Sequence, residues 1–226
     1  MRRVFSLTGV VPLGAFLLGH VLVNFLALRD RAAFASIHAA LDHTIWLPAF
    51  EALFVFLPLA AHAGLGVLLF ASRTAASRPT PYPPAVHRAM RVTSIAILAF
   101  LVVHLVELRF RSPGGVDEGV TATWLAADLS ATSHGIPLWG LAYLVGAGCV
   151  CFHFAAGIWG YFAANGSASP GGGLGRNARW NAGWVAGLAG AVLFLVLADI
   201  VVFHATGARL FGGLGEAVSA DSACPP

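Results

Sequence analysis

Four of the nine histidines, His20, His62, His104 and His153, lie inside long apolar runs. An ionisable side chain at such a position marks a functional site by default, because it is costly there unless partnered. Any one of them has a plain alternative, a hydrogen bond between helices. One histidine in each of four successive runs is harder to account for that way. Two imidazoles facing each other from separate helices suit an iron porphyrin ligated on both faces in a bundle core. A zinc site wants a third or fourth ligand at the same depth, and no acid or cysteine supplies one. Cys149, Cys151 and His153 are spaced by two, so successive side chains point about 200° apart on a helix and cannot converge. No Cys-x-x-Cys-His occurs, which excludes covalent c-type attachment. The predicted group is a b-type haem, held by ligation and packing. Small residues beside the ligands (Gly19, Ala61, Ala63, Gly64, Ala155, Ala156, Gly157) leave room for it.

The elements that must position these side chains are membrane helices. The chain has 226 residues, 58% of them hydrophobic and only 10% charged, with a mean hydropathy of +0.80. Soluble domains carry about 25% charged residues, so a water-soluble enzyme, a disordered tail and a fibrous protein are all excluded. A bilayer crossing needs about 20 residues of helix. Five runs suffice: 7–28, 47–72, 92–110, 136–164 and 182–204. They are continuously apolar rather than alternating, which excludes a barrel. The expected class is an all-α integral membrane protein, one membrane domain over 1–226 with five transmembrane helices in a haem-binding bundle. The first run is too long for a typical signal peptide and has no small-x-small cleavage site before Arg29, so it is read as a retained helix. His38, His43, His87 and His134 then fall in loops, and His204 at the outer end of the fifth helix.

Charge sets the expected orientation. All thirteen basic residues are arginine. They are scattered between apolar runs, so the basic balance reads as helix flanks and not as a nucleic-acid face. Arg2, Arg3, Arg73, Arg78, Arg88, Arg91, Arg176 and Arg179 occupy one side without a single acid. All ten acids fall on the other side or in the helix halves next to it. The positive-inside rule then puts the N-terminus in the cytoplasm and the C-terminus outside, in a bacterial inner membrane. The connector 73–91, with four prolines, reads as a stiff cytoplasmic loop, and 166–179 as a flexible one.

Depth sorts the histidines into pairs. His20 lies nine residues from Arg29 and His104 five from Arg109, roughly 14 and 8 Å below the outer ends at 1.5 Å per residue. His62 and His153 each lie sixteen residues from an outer end, at Trp46 and Pro137. That is about 24 Å in. One pair therefore belongs to each half of the membrane.

With these residues in place the chain resembles a known family: the two-haem cytochrome b membrane anchor of succinate dehydrogenase and fumarate reductase (respiratory complex II). The resemblance rests on Arg3-x-x-Ser6-x-x-Gly9-x-x-Pro12-x-Gly14, Gly19-His20-x-x-x-Asn24 and Phe56-Leu57-Pro58-Leu59-x-x-His62-Ala63-x-x-Gly66. It continues through Arg91-Val92-Thr93-Ser94, His104-x-x-Glu107-x-Arg109 and Phe152-His153-Phe154-x-x-Gly157-x-Trp159. Helix five aligns by hydrophobicity alone. The resemblance implies two haem b groups and no succinate site in this chain. A separate flavoprotein subunit handles succinate or fumarate, and an iron–sulfur subunit links it to the cytoplasmic face. His62 and His153 resemble the ligands of the haem nearer that subunit, and His20 and His104 those of the outer haem. Some relatives have a glutamate near the inner ligand of helix four. No acid occurs here between Asp128 and Asp199, so that feature does not transfer.

The expected work is electron transfer from the iron–sulfur subunit to a membrane quinone, either menaquinone or ubiquinone. Quinone reduction also takes up protons, so a titratable group is expected beside it. Glu51 and Glu107 are the candidates, with an interfacial pairing of Glu107 to Arg109 or Arg111 as the alternative. Arg3, Arg88 and Arg91 are placed to meet propionates of the inner haem, and positive-inside flanking explains them equally well. Two other functions fit the same residues. One is a cytochrome b anchor for a hydrogenase or formate dehydrogenase. The other is a haem-free transporter relaying protons through histidines, against which the lack of an internal repeat argues.

Overall fold

In the computed structural model, residues 2–28, 36, 40, 44–71, 82–107, 126–165 and 176–211 are described. Among them five helices are long and apolar enough to cross a membrane. This is an all-α membrane protein. Helix α1 is α-helical over Arg2–Thr8, π-helical over Gly9–Leu13 and α-helical again over Gly14–Ala27. Helix α2 repeats the pattern with Leu47–Glu51, the π stretch Ala52–Phe56 and Leu57–Ala71. Helices α3 (Pro84–Leu105), α4 (Leu138–Asn165) and α5 (Arg176–Thr206) are regular.

Both π stretches adjoin a proline. Pro12 lies within the first, and Pro58 follows the second by two residues. Proline has no N–H to give the carbonyl four residues back, and a widened turn is a common local solution. The two stretches lie against each other at the crossing of α1 and α2.

Three helices start well before the sequence expectation. Helix α1 begins at Arg2 rather than residue 7. Helix α3 begins at Pro84, eight residues early, because proline at the first helical position has no N–H to leave unsatisfied. His87, Arg88 and Arg91 are therefore on a helix and not in a loop. Helix α5 begins at Arg176, taking in the last residues of the expected flexible connector. Long arginine stems can lie along a helix end and keep the charge in water, so arginine content hid both starts. His38, His43 and Arg73–Arg78 lie outside the described residues.

Helix α5 packs most extensively on α4, and α4 on α3. The α4–α5 seam uses small residues. Ala147, Cys151 and Ala155 recur every fourth residue and are buried. A Cβ at the facing Gly190 would lie 2.7 Å from Ala155 Cβ. Close backbone approach of this kind is how helices associate where apolar burial gives little drive. At the C-terminal ends of α1 and α5, Val21 and Leu28 pack with Ile200. Two polar contacts fasten that corner. Asp199, 4% exposed, accepts the Leu210 N–H at 2.6 Å, and Arg209 donates to the Leu28 carbonyl. Gly207, with φ +74°, ends α5 and donates to the Phe203 carbonyl, a left-handed C-terminal cap.

The described residues of α2 and α3 include none that is buried. Their apolar faces turn away from the protein core. Tyr82, just before α3, anchors that helix's start: its hydroxyl donates to the Ala156 carbonyl at 2.9 Å and its ring meets Trp159 edge-on. Burial pushes the Tyr82 phenol up to about 12, so it stays a neutral donor at ordinary pH.

Candidate functional site

The four helix-borne histidines meet in two pairs. The rings of His20 on α1 and His104 on α3 have centres 6.0 Å apart and planes at 86°. Those of His62 on α2 and His153 on α4 lie 6.3 Å apart at 89°. Two imidazoles bonded to one metal from opposite sides, with bonds of about 2.0 Å, put their ring centres roughly 6 Å apart. Both separations fit one metal between two rings. Among the described residues no group of three or more His, Cys, Asp or Glu side chains converges. Each pair thus brings two histidines together with no third such side chain among the described residues.

The pairs lie at two levels. Thr8, at the first π stretch, is within 3.3 Å of His62 Nδ1, and His20 follows it by twelve residues on the same helix. That is roughly 18 Å along the axis. Helix α3 gives a similar interval, since Ser94 faces His153 and His104 follows ten residues later, roughly 15 Å along the axis.

The His62–His153 pair, expected to be the inner one, is held by hydrogen bonds on one nitrogen of each ring. His62 Nδ1 is 3.2 Å from the Phe5 carbonyl, to which it donates. His153 Nδ1 is 3.5 Å from Ser94 Oγ, whose own hydrogen goes to the Met90 carbonyl at 2.6 Å. Occupying Nδ1 fixes the tautomer and leaves Nε2 as the nitrogen that could take a metal. The Phe5 ring also stacks on His62, 4.4 Å away at 6°. Gly9 is required here, because a Cβ would lie 2.6 Å from His62 Cε1.

The His20–His104 pair, expected to be the outer one, is held by rings. Phe16 stacks on His20 at 5.5 Å, and Phe100 on His104 at 5.5 Å. Tyr143 of α4 meets both Phe100 and His104 edge-on, at 5.4 and 5.8 Å. Among the described residues neither His104 Nδ1 nor Tyr143 Oη has a hydrogen-bond partner, and both atoms are buried.

Open space adjoins both pairs. A Cβ at Gly19, next to His20, or at Gly157, one turn beyond His153, would meet nothing within 4 Å. The same holds at Gly64 beside His62. Ala155 and Ala156, by contrast, are buried, and Ala155 faces α5 at Gly190. The small residues after His153 thus divide between helix packing and an open face.

The remaining candidates are less concentrated. Glu51 is half-buried where α2 enters its π stretch, and Glu107 is half-buried one turn past His104. Arg88 and Arg91 are exposed on α3, with the Arg91 guanidinium 4.2 Å over the Phe70 ring of α2. The side chain of Arg3 lies outside the described residues. Phe5, Thr8 and Tyr143 escape a reading by residue type. A carbonyl donates no signal, and Thr8 and Tyr143 resemble ordinary helix residues. Only the face each presents reveals the contact.

A curated relative, the succinate dehydrogenase cytochrome b558 subunit of Bacillus subtilis (strain 168), is 32% identical over 161 residues. The match spans 71% of this chain and 76% of that protein. No family model matches, and no solved structure matches significantly. With such identity over three quarters of the relative, and five membrane-length helices to place it on, the chain belongs to the succinate dehydrogenase cytochrome b family.

Proposed function

We propose that this chain is the dihaem cytochrome b anchor of a succinate:quinone oxidoreductase. In this role it links an iron–sulfur subunit and its flavoprotein to membrane quinone. The observation that carries the reading is the pair of ring separations, 6.0 and 6.3 Å, at two levels of one bundle. The relative's description as a cytochrome b subunit supports haem b as the group between them. Haem b at both levels supplies one-electron carriers spaced across the membrane.

The residues divide the work. His62 and His153 offer Nε2 because Phe5 and Ser94 engage their other nitrogens. His20 and His104 do so from a ring-packed setting that is poorer in hydrogen bonds on His104. A hydrogen bond to a ligand ring's other nitrogen tunes the metal it would hold, so the two sites are expected to differ in potential. Gly19, Gly64 and Gly157 keep space for a flat macrocycle. Gly157→Leu is therefore expected to eliminate the inner haem signal while leaving α4–α5 packing intact, since its Cβ meets no protein atom. Absorbance spectra and a thermal melt of the purified protein check both halves of that statement.

The arginine-rich side, read as cytoplasmic by the positive-inside rule, is the docking face. Exposed Arg88 and Arg91 suit a partner surface of carboxylates or carbonyls; with Arg3 they are also the candidates to pair with propionates of the inner haem. Charge reversal at both is expected to release the hydrophilic subunits from membranes, more readily at high salt. Retention at every salt concentration would leave apolar contact as the dock. Glu51 and Glu107 are the proton-exchange groups for quinone on the outer side.

The reading is tested by purifying the complex through a tag on this chain. An iron–sulfur protein and a flavoprotein should accompany it, and succinate should reduce its haem signal. Recovery with a hydrogenase or formate dehydrogenase instead would move the chain's partner.

A further inference from the structure

Among the described residues Asp199 is the one polar or charged side chain that is buried, and it stands within a membrane-length helix. A carboxylate there is costly and marks a function by default, yet the function proposed above makes no use of it. Its oxygen accepts the Leu210 N–H at 2.6 Å. The turn between them is bonded at successive steps. Gly207 N–H donates to the Phe203 carbonyl at 2.8 Å and Ala208 N–H to Thr206 Oγ1 at 3.1 Å. Folding back in this way carries Arg209 to α1. Its guanidinium lies 5.4 Å over the Phe203 ring and donates to the Leu28 carbonyl.

That carbonyl closes α1. The last carbonyls of a helix have no partner within it and form the negative end of its dipole, so a donating cation answers both needs. Leu17, Val21, Phe25 and Leu28 recur every three or four residues along the seam with α5, so one face of α1 is committed to that helix. The Gly14–Ala27 part of α1 packs chiefly on α5. His20 precedes Val21 and so projects about 100° away from this face, where its ring meets His104 of α3. Helix α5 carries neither ring of either pair, yet it sets where His20 stands.

We infer that Asp199 and Arg209 are positioning residues for His20. Asp199 holds the turn after α5, the turn holds Arg209, and Arg209 pins the end of α1 eight residues past His20. The clamp fixes the height and rotation of His20 against His104. His62 and His153 lie beyond its reach, because α1 approaches that pair from its opposite end, through Phe5, Thr8 and Gly9. The haem readouts below rest on the function proposed above, and hydrogen exchange supplies one that does not.

The complex is purified through a tag on this chain and its haem content measured first, with the two signals assigned from His20→Ala and His62→Ala. Asp199→Leu removes the acceptor, and Arg209→Met removes the donor while keeping an unbranched stem. Each should shift the midpoint potential and the low-spin ferric resonance of the His20–His104 haem and leave the other haem unchanged. That resonance follows the mutual angle of the two ligand rings, which a loss of folding stability alone does not alter. Amide hydrogen exchange across residues 21–28 should rise about tenfold, the worth of one charge-assisted hydrogen bond. Asp199→Asn keeps an acceptor for the Leu210 N–H and should match wild type in every readout. Equal shifts at both haems, or none at either, would overturn the inference, as would Asp199→Asn behaving like Asp199→Leu. If Asp199→Leu does not assemble, Arg209→Met on the exposed turn decides alone. Wild type without two haems would sink the underlying function instead. Exchange across 21–28 would then judge the clamp, and an unchanged rate in the variants would overturn it.

Discussion

His62→Ala is expected to remove one of two b-type haem signals and leave the other in place. His62 stands with His153 at one level of the bundle, 6.3 Å ring to ring. His20 and His104 stand at the other, roughly 18 Å further along α1. No histidine is shared, and each pair joins different helices: α2 to α4, and α1 to α3. His153→Ala should therefore remove the same signal as His62→Ala, with haem content falling from two per chain to one. His20→Ala and His104→Ala should remove the complementary signal. Loss of the His20–His104 signal on replacing His62, with the other spared, would contradict the pairing. The Gly9 side of α1 offers a milder version. A Cβ at that position would press on the His62 ring, so Gly9→Ala should broaden or shift the inner signal alone.

Glu51→Gln or Glu107→Gln is expected to slow quinone reduction by about a hundredfold or more, the usual contribution of a positioned proton group, without loss of either haem. Reduction of a quinone consumes two protons along with two electrons. Among the described residues Glu51, Glu107, Asp128 and Asp199 lie on the side read as outer, while no acid occurs among the eight arginines of the opposite side. If protons enter from outside while succinate is oxidised in the cytoplasm, charge moves across the membrane in each turnover. That couples the rate to the membrane potential at about 2.3 kcal/mol per charge per 100 mV. An uncoupler should then change the activity of intact vesicles. Activity indifferent to the uncoupler and to both substitutions would move the quinone to the cytoplasmic side.

Much of this was legible in the sequence because membranes impose simple lengths. Twenty apolar residues make a crossing, and the regular rise of a helix turns residue counts into depths. Counting from Arg29, Trp46, Arg109 and Pro137 groups His20 with His104 and His62 with His153, and these are the rings that meet. The helix starts at Pro84 and Arg176 were hidden, since prolines and arginines read as connectors when helix ends can also carry them. The π stretches were hidden too. Pro12 and Pro58 announce a disturbed ladder but not its form. Least legible were the groups that orient the rings. The Phe5 carbonyl belongs to the backbone, and its bond to His62 joins residues 57 apart in the chain. Tyr143 stands in an apolar run where its hydroxyl gives no sign of facing His104 until α3 and α4 are packed.

The central claim is that two histidine pairs each hold a b haem, and haem stoichiometry tests it most directly. The complex, purified from membranes through a tag on this chain, would be assayed for haem per chain and examined in a reduced-minus-oxidised spectrum resolved by redox titration. Two b haems per chain, with two distinct midpoint potentials, is the predicted result. Haem-free protein, or a single haem per chain in a fully assembled complex, would contradict it.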